Sequence, residues 1–209
     1  MTPVSRHITA IRRTLPEHVT LVCVSKFQPI EAIQQAYDCG ERDFAESRVQ
    51  ELLRKYDALP KDIRWHFIGH LQTNKVRAIL PFVHLIQSVD STHLLDTINS
   101  EAGRIGRRIN VLLEVHLARE TTKSGFLPDE LPQDFTPWPQ VNVCGLMTMA
   151  TNTDDEAEIR RCFRLLRQYA ARYDGLHILS MGMTDDYPLA IEEGANLIRI
   201  GTGIFGLRN

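Results

Sequence analysis

Eight short runs of apolar and β-branched residues recur along the chain, and this repetition restricts its fold more than any other feature. Most of the runs are apolar on both faces, which is typical of parallel strands that are covered on both sides. Helix-like segments lie between most of them, so the pattern favours an α/β fold, a (β/α)8 TIM-like barrel, over an open sheet. The runs are 20–25, 42–46, 63–69, 83–89, 110–117, 142–149, 176–181 and 196–201.

Several of the segments between the runs carry helix end signals, and one segment breaks the pattern. A helix is predicted from Pro29 to Tyr37, with Gly40 just after its end. The Pro-rich segment 118–140 has room only for a short helix around 128–131, and we predict a loop over the barrel mouth. No internal repeat or linker is visible, so residues 1–209 are predicted to form a single domain.

Composition excludes several classes of protein. A formal net charge of −2 and an isoelectric point near 6.4 argue against a protein that coats nucleic acid. The four cysteines are far apart and none forms C-x-x-C, so reduced thiols in a cytoplasmic protein are expected. The N-terminus lacks a secretory signal and no apolar stretch could span a bilayer, so we expect no membrane partner.

The chain closes on "LIRIGTGIFGLRN", in which Gly201, Gly203 and Gly206 match G-x-G-x-x-G. A dinucleotide site needs a helix and a further strand after these glycines, but only three residues follow Gly206. In a barrel, the loops after strands 7 and 8 often bind phosphate instead. Gly201, Thr202 and Thr184 could supply its donors; equally, "GTG" is a simple turn and Thr184 a helix N-cap.

Lys26 directly follows the first predicted strand, so it lies at the carboxyl end of the barrel. One interpretation is a strand-end lysine that extends into solvent. The other is a desolvated amine that attacks an aldehyde. A lysine and a phosphate site on one barrel face would suit pyridoxal 5′-phosphate (PLP).

Several stretches in chain order carry a family resemblance. They are "VSKFQPIEAIQQAYDCGERDFAES", "WHFIGHLQTNK", "QSVDS", "TKSGF", "GLMTM" and "LSMGMTDDYPLAIEEGANLIRIGTGIFG". In these, the chain resembles the YggS/PROSC family of PLP-binding proteins, which is similar to the N-terminal barrel of alanine racemase. The resemblance covers residues from about 20 to 206.

The resemblance implies a role for individual residues. Lys26 would hold PLP as an internal aldimine, and Arg199 would face the pyridine nitrogen. Without the resemblance, a salt bridge at the end of the strand is the preferred interpretation of Arg199. Thr184, Gly201 and Thr202 would hold the phosphate, with Ser180 close by, and Met147 is a candidate to approach the ring.

One motif departs from the family. The chain reads "FAES" at 44–47 where the family usually reads "FGEN", so Ala45 replaces a glycine and Ser47 an asparagine near the cofactor. Serine keeps one hydrogen-bond donor but reaches less far, so PLP binding is expected to survive with altered affinity.

Three functions are consistent with these observations. The first is a monomeric, non-catalytic PLP carrier that buffers the cofactor or delivers it to apo PLP-dependent enzymes. The second is a small amino acid racemase or lyase, with Tyr187 or a pocket histidine as second base. The third is an interaction module that exposes Phe135 and Trp138 in the 118–140 segment; Trp138 buried against the barrel is the alternative.

Other candidate residues receive structural interpretations. His66 and His70 are four apart, but the run is strand-like and no third ligand is evident, so no metal site is expected. Asp90 is predicted to cap a helix that begins near residue 91. Asp185 and Asp186 are predicted to form the acidic first turn of the next-to-last helical segment.

Overall fold

The computed structural model of the protein describes residues 2–120 and 124–206. Eight parallel strands close into a barrel in chain order, with β1 paired to β8. Each predicted run overlaps one strand, so the predicted (β/α)8 barrel is confirmed. The strands are β1 (Thr20–Val24), β2 (Asp43–Glu46), β3 (Arg64–Phe67), β4 (Leu85–Val89), β5 (Ile109–Glu114), β6 (Val141–Met147), β7 (Ile178–Ser180) and β8 (Leu197–Ile200). Of the "TKSGF" motif, residues 121–123 and thus its Thr122 and Lys123 lie outside the described range.

Helices surround the barrel. They are α1 (Pro3–Thr14), α2 (Ile30–Asp38), α3 (Val49–Ala58), α4 (Val76–Ile79), α5 (Thr92–Arg104), α6 (Glu156–Ala170), α7 (Tyr187–Glu192) and α8 (Thr202–Phe205), with 3₁₀ turns at Thr73–Lys75 and Pro128–Glu130. No helix among the described residues is long and apolar enough to traverse a membrane.

Strand alternation divides the apolar side chains into two layers. Val22, Ala45, Leu112 and Leu197 belong to the smaller layer inside the barrel, and the larger layer packs the strands against the helices. Cys23 points into the larger layer, where burial raises the pKa of its thiol. Successive residues of a strand face opposite sides, so the residues that share the inner face with Val22 are directed toward the barrel axis.

Two predicted helix starts are wrong. Ser91, rather than Asp90, caps α5, because its hydroxyl accepts a hydrogen bond from the Leu94 N–H at 3.3 Å. Asp186 precedes α7 instead of lying in its first turn, and its carboxylate accepts from the Met183 N–H at 2.6 Å. Local spacing did not predict either pairing, since a short polar side chain can accept from its own turn or from the next.

The 118–140 segment contains the expected short helix as a single 3₁₀ turn. Of the two interpretations of the aromatic residues, the buried one is confirmed and the exposed patch is excluded. Trp138 is buried, and its indole N–H donates to Asp96 of α5 at 2.7 Å. Phe135 stacks on Tyr173, which follows α6, with 5.4 Å between ring centroids. These contacts fix the second half of the segment on the outer side of the barrel instead of over its mouth.

An ion pair lies at the amino-terminal ends of β2 and β3, between Asp43 and Arg64. The Asp43 carboxylate accepts from Arg64 Nε at 2.8 Å and from His66 Nε2 at 3.1 Å. Ligand atoms of Asp43, His66 and His84 lie within 4.8 Å of one another, the one such group in the described part of the chain. Arg64 and His66 already bond this carboxylate, so the arrangement is satisfied without a metal. His70 lies apart, against Asp90 at 3.0 Å.

This ion pair makes stability sensitive to acid. Burial opposes ionisation of Asp43, but the hydrogen bonds from Arg64 and His66 outweigh it and hold the pKa of the carboxyl well below its usual range. The contribution is therefore complete above the unfolded-state pKa, near 3.9, and is lost as pH falls toward the folded-state pKa. We expect about 1 kcal/mol of unfolding free energy to disappear from this source between pH 5 and pH 3.

Urea unfolding at several pH values, with Asp43→Asn and Asp129→Asn as variant and exposed control, measures this loss. Asp43→Asn should be less stable at pH 7 and should show a flatter decline toward pH 3. An acid decline equal to that of the parent protein would contradict the assignment.

Candidate functional site

Loops at the carboxyl ends of the strands enclose a pocket of about 240 Å³. The elements that contribute are β1, β3, β6, β7 and β8 with the residues that follow them. Six of the eight residues predicted for the site line this pocket: Lys26, Met147, Thr184, Arg199, Gly201 and Thr202. The remaining lining residues are Val24, Gln28, Ile68, Met149, Met183 and Asp185. The pocket thus brings together residues from the two ends of the barrel sequence, from Val24 to Thr202.

Lys26 enters the pocket from the turn that ends β1. The Ser25 carbonyl accepts from the Gln28 N–H at 2.9 Å, which closes the turn around Lys26. Phe27 has a φ of 66°, the one left-handed non-glycine residue in the described chain. A bulky side chain rarely adopts this conformation, so the turn must be stabilised by its surroundings.

The end of β8 forms the polar corner of the pocket. Thr184 Oγ1 accepts from the Gly203 N–H at 3.2 Å and from the Thr202 hydroxyl at 3.1 Å. The predicted alternative that Thr184 caps the following helix is wrong, because it joins the β7 loop to the start of α8 instead. A Cβ at Gly203 would lie 3.0 Å from Ile200 Cγ2 and 3.2 Å from Thr184 Cγ2, so a larger residue would disturb this corner. Two hydroxyls and nearby backbone N–H groups are a donor set that suits an anion.

Arg199 lies at the floor of the pocket with its side chain inside the barrel. Its guanidinium donates to the Ser180 hydroxyl and, at 3.0 Å, to the Thr148 carbonyl. Burial lowers the pKa of Arg199 to about 10, so the group remains protonated at neutral pH. A fixed positive charge therefore faces the inner end of the pocket.

A chain of hydrogen bonds extends from Arg199 through the barrel. Ser180 donates to Gln87 Oε1 at 2.7 Å, and Gln87 Nε2 lies 2.8 Å from His66 Nδ1. His66 Nε2 in turn donates to Asp43. Ser180 is thus not a lining residue but supports Arg199 from behind the pocket wall. The sequence did not indicate this role, which depends on both side chains pointing into the barrel.

Ser47 is the other predicted residue that does not line the pocket. It borders a neighbouring depression that also involves His70 and Lys75. Its carbonyl is close to Gly69, where a Cβ would lie only 2.2 Å from the Ser47 oxygen. Gly69 therefore permits the β2 and β3 loops to touch beside the pocket.

Sequence reasoning missed Gln28 and Asp185 as lining residues. Gln28 had a signal, since it follows Lys26 by two residues in the same turn. Asp185 was assigned to a helix that in fact begins two residues later, at Tyr187. Neither Tyr187 nor any histidine is among the described residues that line the pocket.

A model of the alanine racemase N-terminal domain family matches residues 3–209. A pyridoxal phosphate homeostasis protein of Aquifex aeolicus is 42% identical over 197 residues, covering 90% of this chain and 86% of that protein. A protein of the same name from Synechocystis is 39% identical over 208 residues, covering 93% of this chain and 94% of its own.

Solved structures of the same fold are also similar to this chain. PipY of Synechococcus elongatus with PLP bound is 37% identical, with a TM-score of 0.88 over 97% of this chain and all of that one. The same protein without PLP gives a TM-score of 0.90 at the same coverage. An alanine racemase of Clostridium difficile is 13% identical, with a TM-score of 0.80 over 99% of this chain and 57% of that one, and shares the fold.

Proposed function

Because the chain belongs to the family of pyridoxal phosphate homeostasis proteins, we propose that it binds PLP through Lys26 and holds the cofactor for delivery to other proteins. The observation that carries this proposal is the shared pocket of Lys26, Arg199 and the Thr184–Thr202 corner. The structure of the relative PipY with PLP bound supports PLP as the ligand.

The three groups fit the three functional parts of PLP. The Lys26 amine suits the aldehyde; condensation forms a C=N bond and releases one water. The hydroxyls of Thr184 and Thr202 suit the phosphate. The protonated Arg199 suits the pyridine nitrogen, because a cation beside this nitrogen disfavours its protonation. When bound, PLP supplies an electrophilic carbon and an electron-accepting ring, and an unprotonated ring accepts electrons less well.

Storage is favoured over turnover by the residues around the pocket. A racemase needs a second acid or base on the opposite face of the substrate carbon. Among the described lining residues, the titratable side chains are Lys26, Arg199 and the exposed Asp185. We therefore propose a non-catalytic carrier whose partners are apo PLP-dependent enzymes. We further propose, from the sequence, that the carrier is monomeric and cytoplasmic.

Two assays on the PLP-loaded protein test the carrier role. Incubation with a PLP-dependent apo-enzyme, with free PLP removed by a scavenging phosphatase, should restore the activity of that enzyme. Incubation with amino acids in deuterium oxide should show no α-proton exchange above that of free PLP. Rapid exchange that Lys26→Ala abolishes would overturn the carrier role in favour of a racemase or lyase.

The phosphate corner gives a separate prediction. Thr184→Val keeps the side-chain shape but removes the hydroxyl, and a hydrogen bond to a charged group contributes about 1.5–3 kcal/mol. We expect the Kd for PLP to rise about 10-fold or more. The Kd for pyridoxal, which lacks the phosphate, should stay unchanged. Absorbance titrations of both ligands measure this, with Thr136→Val as an exposed control, and an equal change for the two ligands would contradict the assignment.

A further inference from the structure

Lys55 of α3 is a lysine with no solvent-exposed surface. Its ammonium donates three hydrogen bonds of 2.7 Å, to Ser25 O, Glu46 Oε1 and Glu51 Oε1. All three donor positions of the ammonium are therefore occupied. Lysines are almost never fully buried unless they are paired, so this arrangement needs an explanation.

The hydrogen bonds of Lys55 and its partners reach the residues on both sides of Lys26 in the chain. Ser25 directly precedes it, and the Ser25 hydroxyl also donates to Glu46 Oε1 at 2.6 Å. Glu51 accepts from the N–H of Phe27, the next residue, at 2.7 Å. One buried cluster thus bonds the backbone immediately before and immediately after Lys26.

The turn requires this support. Phe27 has a φ of 66° and is 46% exposed, and its ring is contacted by the Arg48 guanidinium at 4.9 Å from the ring centroid. Contacts of the ring leave the backbone of the turn to be held by hydrogen bonds. A strained residue persists where its surroundings determine its conformation. Two hydrogen bonds hold the turn in this conformation: the Phe27 N–H donates to Glu51, and the Ser25 carbonyl accepts from Lys55.

Stability alone is a poor reason for the cluster. Burying an ion pair costs desolvation energy, and well-packed apolar residues often replace one without loss. Glu46 Oε2 is buried and has no hydrogen-bond partner among the described atoms, which adds to this cost. The cluster nevertheless bonds the one turn that carries the pocket amine.

We propose that Lys55 is a positioning residue, which fixes the 25–27 turn through Ser25 and Glu51 so that the Lys26 amine is directed at the aldehyde of PLP. This inference rests on the proposed function. It predicts that Lys55 affects covalent capture of the aldehyde and leaves the phosphate and ring contacts unaffected.

Lys55→Met, which replaces the ammonium with an apolar chain of similar length, tests this by comparing two ligands. Pyridoxine 5′-phosphate has the ring and phosphate of PLP but no aldehyde. We expect the Kd for PLP to rise about 10-fold, since misdirecting a reacting group is costly, and the Kd for pyridoxine 5′-phosphate to change less than about 2-fold. Equal weakening of both ligands, or no change in either, would overturn the proposal.

Two further variants separate positioning from stability. Leu52→Ala opens a cavity beside the same helix and removes none of the hydrogen bonds that Lys55 and Glu51 make to the turn, so it should lower the melting temperature and leave the ratio of the two Kd values unchanged. Glu51→Ala releases the Phe27 N–H while Lys55 keeps Glu46, and should shift the ratio in the direction of Lys55→Met even where Lys55→Met does not fold.

Hydrogen exchange in the apo-protein decides the same question without PLP. The amides of residues 25–28 should exchange faster in Lys55→Met and Glu51→Ala than in the parent protein and in Leu52→Ala. Parent protein that failed to bind PLP would refute the proposed function, and unchanged exchange at 25–28 would refute the positioning role.

Discussion

Lys26→Ala is expected to eliminate the covalent complex with PLP and to raise the Kd for PLP about 100-fold, equivalent to about 3 kcal/mol. The pocket keeps Arg199 and the Thr184–Thr202 corner in this variant, so weak binding through the ring and phosphate should remain. Absorbance titration measures both effects, because the C=N band disappears while the band of the free aldehyde persists.

Lys61→Ala is the matched control, since Lys61 is exposed and lies outside the pocket. It should bind PLP as the parent protein does. The affinity of Lys26→Ala for pyridoxine 5′-phosphate should also equal that of the parent protein. A Lys26→Ala variant that retained the C=N band in full would show that another lysine captures the aldehyde.

Gly145→Ala is expected to destabilise the barrel by about 3 kcal/mol or to prevent its folding. Gly145 lies in β6 opposite Ile178 of β7, and a Cβ there would lie 1.9 Å from the Ile178 carbonyl oxygen. The overlap is with backbone, so no side-chain rotation relieves it, and β6 and β7 must separate near the pocket. Urea unfolding monitored by circular dichroism gives the loss.

Gly103→Ala is the control for this prediction. Gly103 lies in α5 on the surface, and a Cβ there would meet only Gln140 Cγ at 3.8 Å, an ordinary contact. Alanine favours helix by about 1 kcal/mol over glycine, so this variant should be slightly more stable. A Gly145→Ala protein as stable as Gly103→Ala would contradict the close packing of β6 against β7.

The strands were predictable because most are short runs with apolar residues on both faces, a pattern typical of parallel strands covered on both sides. The same logic predicted Lys26, Gly201 and Thr202 at one face, since the carboxyl ends of all strands in a parallel barrel meet there. Arg199, by contrast, was assigned to the site only by the family resemblance. The chemistry of these residues and the resemblance then pointed to PLP. Length and composition alone would not have identified the ligand.

Partners of side chains were less predictable. Thr184 fits an N-cap by local sequence, but its hydroxyl bonds Gly203, 19 positions later. Burial of Trp138 against the barrel was one of the two interpretations of the sequence, but nothing in the sequence indicated that Asp96 of α5 accepts its N–H. Such pairs depend on which elements the closed barrel brings together. Spacing along the sequence does not predict these long-range contacts.

Lys55 illustrates the same limit within the site. "VQELLRK" at 49–55 reads as an amphipathic helix with a solvated Glu51–Lys55 pair at i, i+4 spacing. The pair forms, but it is turned inward, where Ser25 just after β1 and Glu46 at the end of β2 offer further acceptors to Lys55. Only the three-dimensional arrangement connects these residues to Lys26.

Reduction of the PLP-treated protein with borohydride, followed by peptide mapping, tests the central claim most directly. Reduction converts a C=N bond into a stable amine and so marks the lysine that bound the aldehyde. We expect one pyridoxyl group per chain, on Lys26. A label spread over surface lysines, or no label at all, would contradict the claim that this pocket captures PLP.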